Sequence, residues 1–503
     1  MTTGVELDQV RSDSGTENAL SPELFAPGGA NAPAPLVIAG LPRRTDEQIE
    51  ISSPADDRDI FRCAVADPGL VAEAAAAAYA ARARCAELDR GERALILENM
   101  ATAIARDRDV LARVITREVG KALRDSLGEV DRAVATLRAA AHAAAGLTGR
   151  EIPVDAVPSG RGRHAYTVWE PVGVVTAICG FNFPLLLAVH KLSAAIGAGC
   201  PVLLKPSDRT PLATIALAGY AVGAGWPPAA ISVLNGDAAV GKALVEHPVV
   251  RLVSFTGSTA VGGAIAAAAG ARLKRTVMEL GSNAPTIVTA DADLDLAARR
   301  CALGAMVSSG QSCISVQRVF ADRSIAADLA EAMAGYAAQL RVGDPYDPET
   351  ELGNVISPES AARLGSMIDD AVARGATLLT GGVRDRAVLP TVLFAPSEDA
   401  EISRDEAFGP VVAVYPFDSL DEAIDAANRL EFGLMAGVFT TSIETATAVA
   451  DALEAGGVHI NECSNFRADN MPYGGVKGSG YGKEGPASAI REMSVEKVVT
   501  WPR

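Results

Sequence analysis

The chain has 503 residues, 49% of them hydrophobic and 21% charged, with a formal net charge of −17 at pH 7. This length exceeds one simple core and implies two or three domains, and the apolar share excludes wholesale disorder. The acidic balance disfavours nucleic acid and anionic membrane as partners, and no apolar run reaches the length needed to cross a bilayer. The start, Met1–Asp8, lacks a basic segment followed by an apolar one, so no secretory signal is expected. Seven cysteines, at 63, 85, 179, 200, 301, 313 and 463, form no C-x-x-C pair. Their scatter and odd number suggest a reducing cytoplasm, and five dispersed histidines give no metal-ligand spacing, so no metal is expected.

Residues 1–35 are acidic and then rich in Ala, Pro and Gly, which reads as a flexible tail. Short strands follow from Leu36, then helices over Val71–Leu88, Arg93–Ala105, Asp109–Val119 and Ala122–Ala145. Their alanine runs reflect helix propensity. Gly160–Trp169 alternates polar and apolar residues like a strand. Apolar strands at Val172–Ile178, Pro201–Leu204, Ile231–Leu234 and Leu252–Thr256 are then separated by helices at Leu185–Ala198, Leu212–Ala224 and Ala238–Glu246, with Val261–Ala269 after the last. This alternation predicts a parallel, doubly wound sheet that binds ligands beyond the carboxyl ends of its strands. A second α/β region follows Glu279. Its strands are Thr286–Val288, Arg318–Ala321, Val411–Tyr415 and Gly437–Thr440, and its helices start at Leu294 and run over Ile325–Leu340, Ala361–Ala373 and Leu420–Asn428. The tail Glu496–Trp501 alternates again, as a terminal strand that pairs with a partner subunit would.

Six motifs carry chemistry. Gly310-Gln311-Ser312-Cys313 sets a cysteine on a short polar loop behind the helical run Ala297–Val307. Alone, Cys313 reads first as a buried structural thiol, but a thiolate is the strongest nucleophile a side chain offers near neutral pH. Upstream stands Glu279, in Met278-Glu279-Leu280-Gly281-Ser282-Asn283. In Ser254–Gly262 a strand ends at a glycine and a helix starts at Ser258 or Thr259; its backbone N–H groups suit a pyrophosphate, although a plain turn reads equally well. Leu204-Lys205-Pro206-Ser207-Asp208-Arg209 ends a strand, either as a solvated charged turn or as a ribose site. In Gly180-Phe181-Asn182-Phe183-Pro184 the Asn stands before an apolar helix, where it serves as an N-cap or as an amide donor. The glycine-rich Asn470–Gly480 closes the series.

In their order along the chain, these motifs resemble the aldehyde dehydrogenase superfamily from about residue 36 to the C-terminus. The resemblance implies an α/β fold of two doubly wound domains plus a small β oligomerisation element. It divides the chain into an NAD(P)-binding domain (36–147 and 170–279), a catalytic domain (280–486) and an oligomerisation element (148–169 and 487–503), in a homodimer or homotetramer. It implies Cys313 as nucleophile, Glu279 as base, and the Asn182 amide with the Cys313 N–H as oxyanion hole. Lys191 and Glu484 match residues often placed in a proton path to Glu279. The resemblance implies NAD as the cofactor, with NADP as the alternative. Lys205 would touch the adenosine ribose beside Ser207, and Asp208 would accept a ribose hydroxyl and repel a 2′-phosphate. Gly257, Ser258 and Gly262 form the dinucleotide loop, with Ala260 where the family commonly has Glu. Leu280 and Gly281 follow the base, and Glu406, just before Phe408, matches the residue that holds the nicotinamide ribose.

Arg467, in Ser464–Tyr473, resembles branches that oxidise lactaldehyde, glyceraldehyde 3-phosphate or phosphonoacetaldehyde, which implies a small anionic aldehyde as substrate. Arg132 is a second candidate for the anion. Phe183 and Ser312 complete the substrate set, at positions where phosphate-binding relatives often carry Tyr and Arg. The alternative is that Arg467 pairs with Asp469 or Glu462 and only shapes its loop. Two rival functions stand beside aldehyde oxidation. One is a CoA-acylating relative, which generally lacks the base; the other is a non-catalytic structural or binding protein on the same fold.

Overall fold

Apolar strands separated by helices have no tight turn through which to pair antiparallel, so they align in parallel with both faces covered. The computed structural model describes residues 18–29, 32–384 and 387–503. In its first sheet the neighbours are Gly480–Tyr481, Arg275–Glu279, Val250–Thr256, Val174–Ile178, Val202–Lys205, Ile231–Val233, Leu36–Ile38 and Leu41–Arg43. Arg275–Glu279 through Ile231–Val233 are mutually parallel, and the pairings outside them are antiparallel. The second sheet runs Thr377–Arg384, Ala387–Phe394, Val411–Phe417, Arg318–Asp322, Pro285–Val288, Met435–Phe439 and Gly457–Ile460. It is parallel except for the hairpin at one edge.

Register positions the site. Glu279 pairs with Thr256, and Lys205 with Ile178, so the carboxyl ends of these strands finish in one row. The chain leaves Glu279 through Leu280 and Gly281 and enters the second sheet at Pro285. The carboxyl ends of the first sheet therefore meet the loops that lead into the second. One such loop precedes Arg318 and carries Cys313; another precedes Val411 and carries Glu406 and Phe408.

A third sheet joins Glu151–Ile152, Arg163–Pro171 and Ser494–Pro502, all antiparallel. The terminal strand, expected to pair with a partner subunit, pairs along one edge with its own chain, from Ser494 opposite Pro171 to Pro502 opposite Arg163. After the second sheet the chain returns to the first through Gly480–Tyr481, and helix Pro486–Glu492 packs on helices Leu123–Ala145 and Pro184–Ala198.

Element positions agree with the sequence reading to within a few residues, with clear omissions. The hairpin Thr377–Arg384/Ala387–Phe394 escaped it, because Gly381-Gly382 interrupts an edge strand that is mostly exposed or half-buried and does not alternate. Strands Arg275–Glu279 and Gly457–Ile460 and helix Ile443–Ala452 were also missed, being short and weakly patterned. The expectation of a flexible tail over 1–35 is corrected for its described residues. Leu20 and Phe25 are buried in the core, and Arg117 Nη1 donates to the Phe25 carbonyl at 2.8 Å, so these apolar residues anchor the segment. Residues 1–17 lie outside the described residues. No helix among the described residues is long and apolar enough to cross a membrane.

Candidate active site

Helix Leu294–Met306 ends in a turn in which Ser308, Ser309 and Gly310 all take positive φ, 56°, 55° and 67°. Two of these are L residues in a costly conformation, so surrounding contacts must hold them. Asp125 accepts from the Ser308 N–H at 2.9 Å, and Ser309 Oγ donates to the Gly353 carbonyl at 3.1 Å. Gly310 has no room for a side chain, since a Cβ there would overlap the backbone of Gly409. The turn presents Cys313 to a cavity of about 260 Å³, shared with Glu279 and Asn182. Burial pushes the Cys313 thiol up to about 12, against the pull of a hydrogen bond from Tyr473, whose hydroxyl lies 3.0 Å from Sγ.

Glu279 is 2% exposed, and among the described residues neither of its carboxyl oxygens has a hydrogen-bond partner. Burial first, and then the negative charge of Glu484, push it well above the usual carboxylate range, while Lys191 and Arg467 pull the other way. A carboxyl group kept protonated in this way gains strength as a base once it ionises. Lys191 and Glu484 stand behind it as a buried pair at 2.7 Å, and Lys191 Nζ also donates to Thr256 Oγ1 at 2.8 Å.

Asn182 does not cap the helix that follows. Its Nδ2 donates to the Gln311 carbonyl at 2.8 Å, which ties it to the Cys313 loop and leaves a second N–H for another acceptor. The Asn182 backbone is held by a pair that sequence reading missed, Lys121 and Glu129, both fully buried with N–O at 2.5 Å. Lys121 Nζ also donates to the Asn182 carbonyl at 3.0 Å and stands 4.0 Å from the centre of the Phe183 ring. Glu129 Oε1 accepts from the N–H groups of Leu185 and Leu186, at 2.9 and 3.0 Å, in the first turn of helix Pro184–Ala198. A carboxylate at a helix N-terminus answers both the free N–H groups and the helix dipole. The two residues stand eight positions apart, and Lys121 lies ahead of helix Leu123–Ala145, so no one-turn helical spacing in the sequence points to the pair.

The expected cofactor residues divide into two groups. Gly257, Ser258, Leu280, Gly281, Glu406 and Phe408 line the Cys313 cavity. Ser258 precedes helix Thr259–Gly270 without a side-chain cap bond, so its first-turn N–H groups suit an anionic oxygen. Gly262 packs against Leu280, and a Cβ on Gly281 would stand 2.6 Å from Glu406 Oε2, so glycine keeps that carboxylate clear. Glu406 Oε1 accepts from the Ser282 N–H at 3.0 Å, and burial pushes the group up to about 7. Outside the cavity, Lys205 is buried and Nζ donates to the Pro206 carbonyl at 3.3 Å, a weak contact for an ammonium group; burial lowers its pKa. Ser207 is half-buried and Asp208 exposed beside it. A helix N-terminus, an under-bonded lysine and buried or exposed carboxylates fit the phosphates and ribose hydroxyls of a nicotinamide dinucleotide.

Arg132, Phe183, Ser312 and Arg467 also line the cavity. Asp469 pairs with Arg132 at 3.0 Å and Glu462 with Arg300 at 3.5 Å, so the partners proposed for Arg467 are taken elsewhere. The Arg467 side chain is 8% exposed. Nη2 donates to His190 Nε2 at 3.0 Å, the guanidinium lies 3.7 Å over the Tyr473 ring, and Glu484 is 3.9 Å away. Nε has no partner. Burial and the Arg467 charge hold His190 well below the ordinary imidazole range, so it is a neutral acceptor.

A model described as the aldehyde dehydrogenase family matches residues 42–499. A 3-sulfolactaldehyde dehydrogenase of Priestia aryabhattai is 41% identical over 410 residues, which are 81% of this chain and 86% of that protein. Aspartate-semialdehyde dehydrogenase 1 of Pseudomonas canavaninivorans is 40% identical over 459 residues, 90% of this chain and 96% of that protein. The crystal structure of the glyceraldehyde-3-phosphate dehydrogenase GapN from Methanocaldococcus jannaschii DSM 2661, complexed with NADP, superposes with a TM-score of 0.87 at 35% identity, covering 91% of this chain and 100% of that one.

The Lys121–Glu129 brace makes a testable demand on stability. Lys121→Met keeps the side chain's length and leaves Glu129 buried without its cation, which should lower unfolding stability by about 3–5 kcal/mol. Adding Glu129→Leu should recover part of that loss. Urea midpoints of the three proteins measure this, and a single variant as stable as wild type would rule the brace out.

Proposed function

The chain belongs to the aldehyde dehydrogenase family, and on that premise we propose that it oxidises a small anionic aldehyde to the carboxylate, with Cys313 as nucleophile and Glu279 as base. It is an NAD(P)-dependent aldehyde dehydrogenase. The observation that carries the residue roles is the convergence of the Cys313 thiol, the Glu279 carboxyl and Asn182 on one cavity that also holds Gly257, Ser258 and Glu406.

Cys313 Sγ attacks the carbonyl carbon, and the displaced electron pair settles on an oxygen held by the Asn182 amide and the Cys313 N–H. When bound, NAD(P)⁺ supplies the hydride acceptor. The carbonyl re-forms as a thioester on Cys313. Glu279 takes a proton from water as the water adds to the thioester, the C–S bond breaks, and the thiolate returns. Lys191 and Glu484 offer a route by which that proton leaves. Residues 36–147 and 170–279 serve the cofactor through Lys205, Ser207, Asp208, Gly257, Ser258 and Gly262, with Leu280, Gly281, Glu406 and Phe408 at the junction. Residues 280–486 supply the nucleophile, and 148–169 with 487–503 build the contact of a homodimer or homotetramer. The buried base favours hydrolysis over transfer to CoA.

Two features support an anionic substrate. The aldehydes named for the relatives carry a sulfonate, a carboxylate or a phosphate. Arg467 lines the cavity with an Nε that has no hydrogen-bond partner among the described residues, while Arg132 is neutralised by Asp469. A guanidinium suits such groups through paired hydrogen bonds.

Cys313→Ala should abolish NAD(P)H formation. Glu279→Gln should keep a burst of about one equivalent and slow turnover by about 10²–10⁴-fold. Because both groups are raised and act deprotonated, wild-type kcat should rise with pH from neutral to alkaline, and Glu279→Gln should remove the carboxyl's part of that rise. A Cys313→Ala enzyme with near-normal turnover would end the assignment.

Arg467→Ala should raise KM for an anionic aldehyde by about 10–100-fold, as expected for a lost charged hydrogen bond. A neutral aldehyde of the same size should lose far less, and equal losses on both would refute the anion site. For the cofactor, kcat/KM should favour NAD over NADP, and Asp208→Ser should narrow the ratio by about tenfold. A wild-type preference for NADP would mean that Lys205 or Arg209 outweighs Asp208.

A further inference from the structure

The reaction as described asks no work of Tyr473, yet its hydroxyl lies 3.0 Å from Cys313 Sγ. Among the described residues, Sγ is the one hydrogen-bond partner of that hydroxyl. Tyr473 is 2% exposed, and its backbone is locked to Glu484 by two bonds, Tyr473 N–H to the Glu484 carbonyl at 3.0 Å and Glu484 N–H to the Tyr473 carbonyl at 2.7 Å. The ring carries the Arg467 guanidinium 3.7 Å from its centre. Backbone pairing on one side and a stacked cation on the other therefore hold the phenol against the thiol.

From this geometry we infer that Tyr473 is a further catalytic residue, whose O–H donates to the Cys313 thiolate both before attack and when the thiolate leaves the thioester. This rests on Cys313 being the nucleophile. A thiolate can only accept, so once Cys313 loses its proton the hydrogen bond has a single possible direction. Burial keeps the phenol protonated, well above its ordinary value, so it has a proton to donate. The neighbouring carboxylates Glu406 and Glu279 disfavour the thiolate, while Tyr473 and Arg467 favour it. The stacked guanidinium strengthens the donor, because a positive charge beside a phenol favours electron withdrawal from its O–H. No proton is transferred in either step. The hydrogen bond forms to the sulfur's free electron pair, loosens as that pair makes the C–S bond, and re-forms as the C–S bond breaks.

The test is the pH dependence of alkylation by iodoacetamide on the full chain, with Cys313 identified by peptide mapping and Cys313→Ala as control. Tyr473→Phe removes only the hydroxyl and keeps the ring under Arg467. It should move the thiol's titration to higher pH and slow Cys313 alkylation near neutrality by about tenfold, the scale of a lost hydrogen bond to a charged group. The NAD(P)H burst should slow in parallel, with KM for the aldehyde little changed, because the Arg467 stack is intact. Tyr473→Leu should add a rise in KM through loss of the stack. Superimposable alkylation profiles for wild type and Tyr473→Phe, or a shift to lower pH in the variant, would overturn the proposal. The readout needs no aldehyde, so it fails separately from the substrate reading, and an undiminished turnover of Cys313→Ala would remove both.

Discussion

Desolvation of Cys313 and Glu279 in one cavity raises the pKa of both, and the charges around them answer that constraint. A thiol and a carboxyl in water would each titrate near ordinary values and be held in place by nothing. Taken out of water, each becomes more reactive in its charged form, and each needs a neighbour that makes that form reachable. For Glu279 the neighbours are Lys191 and Arg467; for Cys313 they are the Tyr473 hydroxyl and again Arg467. Glu484 ties the two sides together, since it pairs with Lys191 through its side chain and with Tyr473 through its backbone.

This cluster exists because two parallel sheets meet end to end. The first contributes the carboxyl ends of its strands, where Thr256 and Glu279 pair in register and Asn182 sits on the loop after the strand that ends at Ile178. The second contributes the loops ahead of its strands, with Cys313 and Glu406. Parallel strands point their free ends the same way, so loops of different sequence separation converge without any local pattern linking them. The same arrangement makes the loops expensive to hold. The left-handed run Ser308–Gly310 persists because Asp125 and Gly353 fasten it, and the Asn182 loop because Lys121 and Glu129 do.

Much of the fold was legible. The strand and helix alternation from Val172 to Ala269 matches the first sheet closely, since burial on both faces writes itself into continuous apolar runs. Edge elements were harder: the hairpin 377–394 and the strand Gly457–Ile460 face solvent in part, and their composition follows no strict period. The early segment suggests disorder by its Pro, Gly and Ala content, while Leu20 and Phe25 are buried in the core. Composition averages over residues, whereas two buried side chains suffice to anchor a segment.

The amino-acid sequence by itself determined the family resemblance, the α/β class and the identity of Cys313, Glu279, Asn182 and Arg467 as the groups worth asking about. These depend on residue types at short range, which a chain carries whatever its shape. Only the tertiary structure decided how those groups are paired. Arg467 meets His190, Tyr473 and Glu484 rather than its near neighbour Asp469, which instead joins Arg132 from a distant helix. Tyr473 reaches Cys313 across 160 positions, and Lys121 reaches the carbonyl of Asn182 across 61. Such contacts arise where separate elements pack, and the distance between two side chains there is set by sheet register and helix placement, which no local spacing encodes.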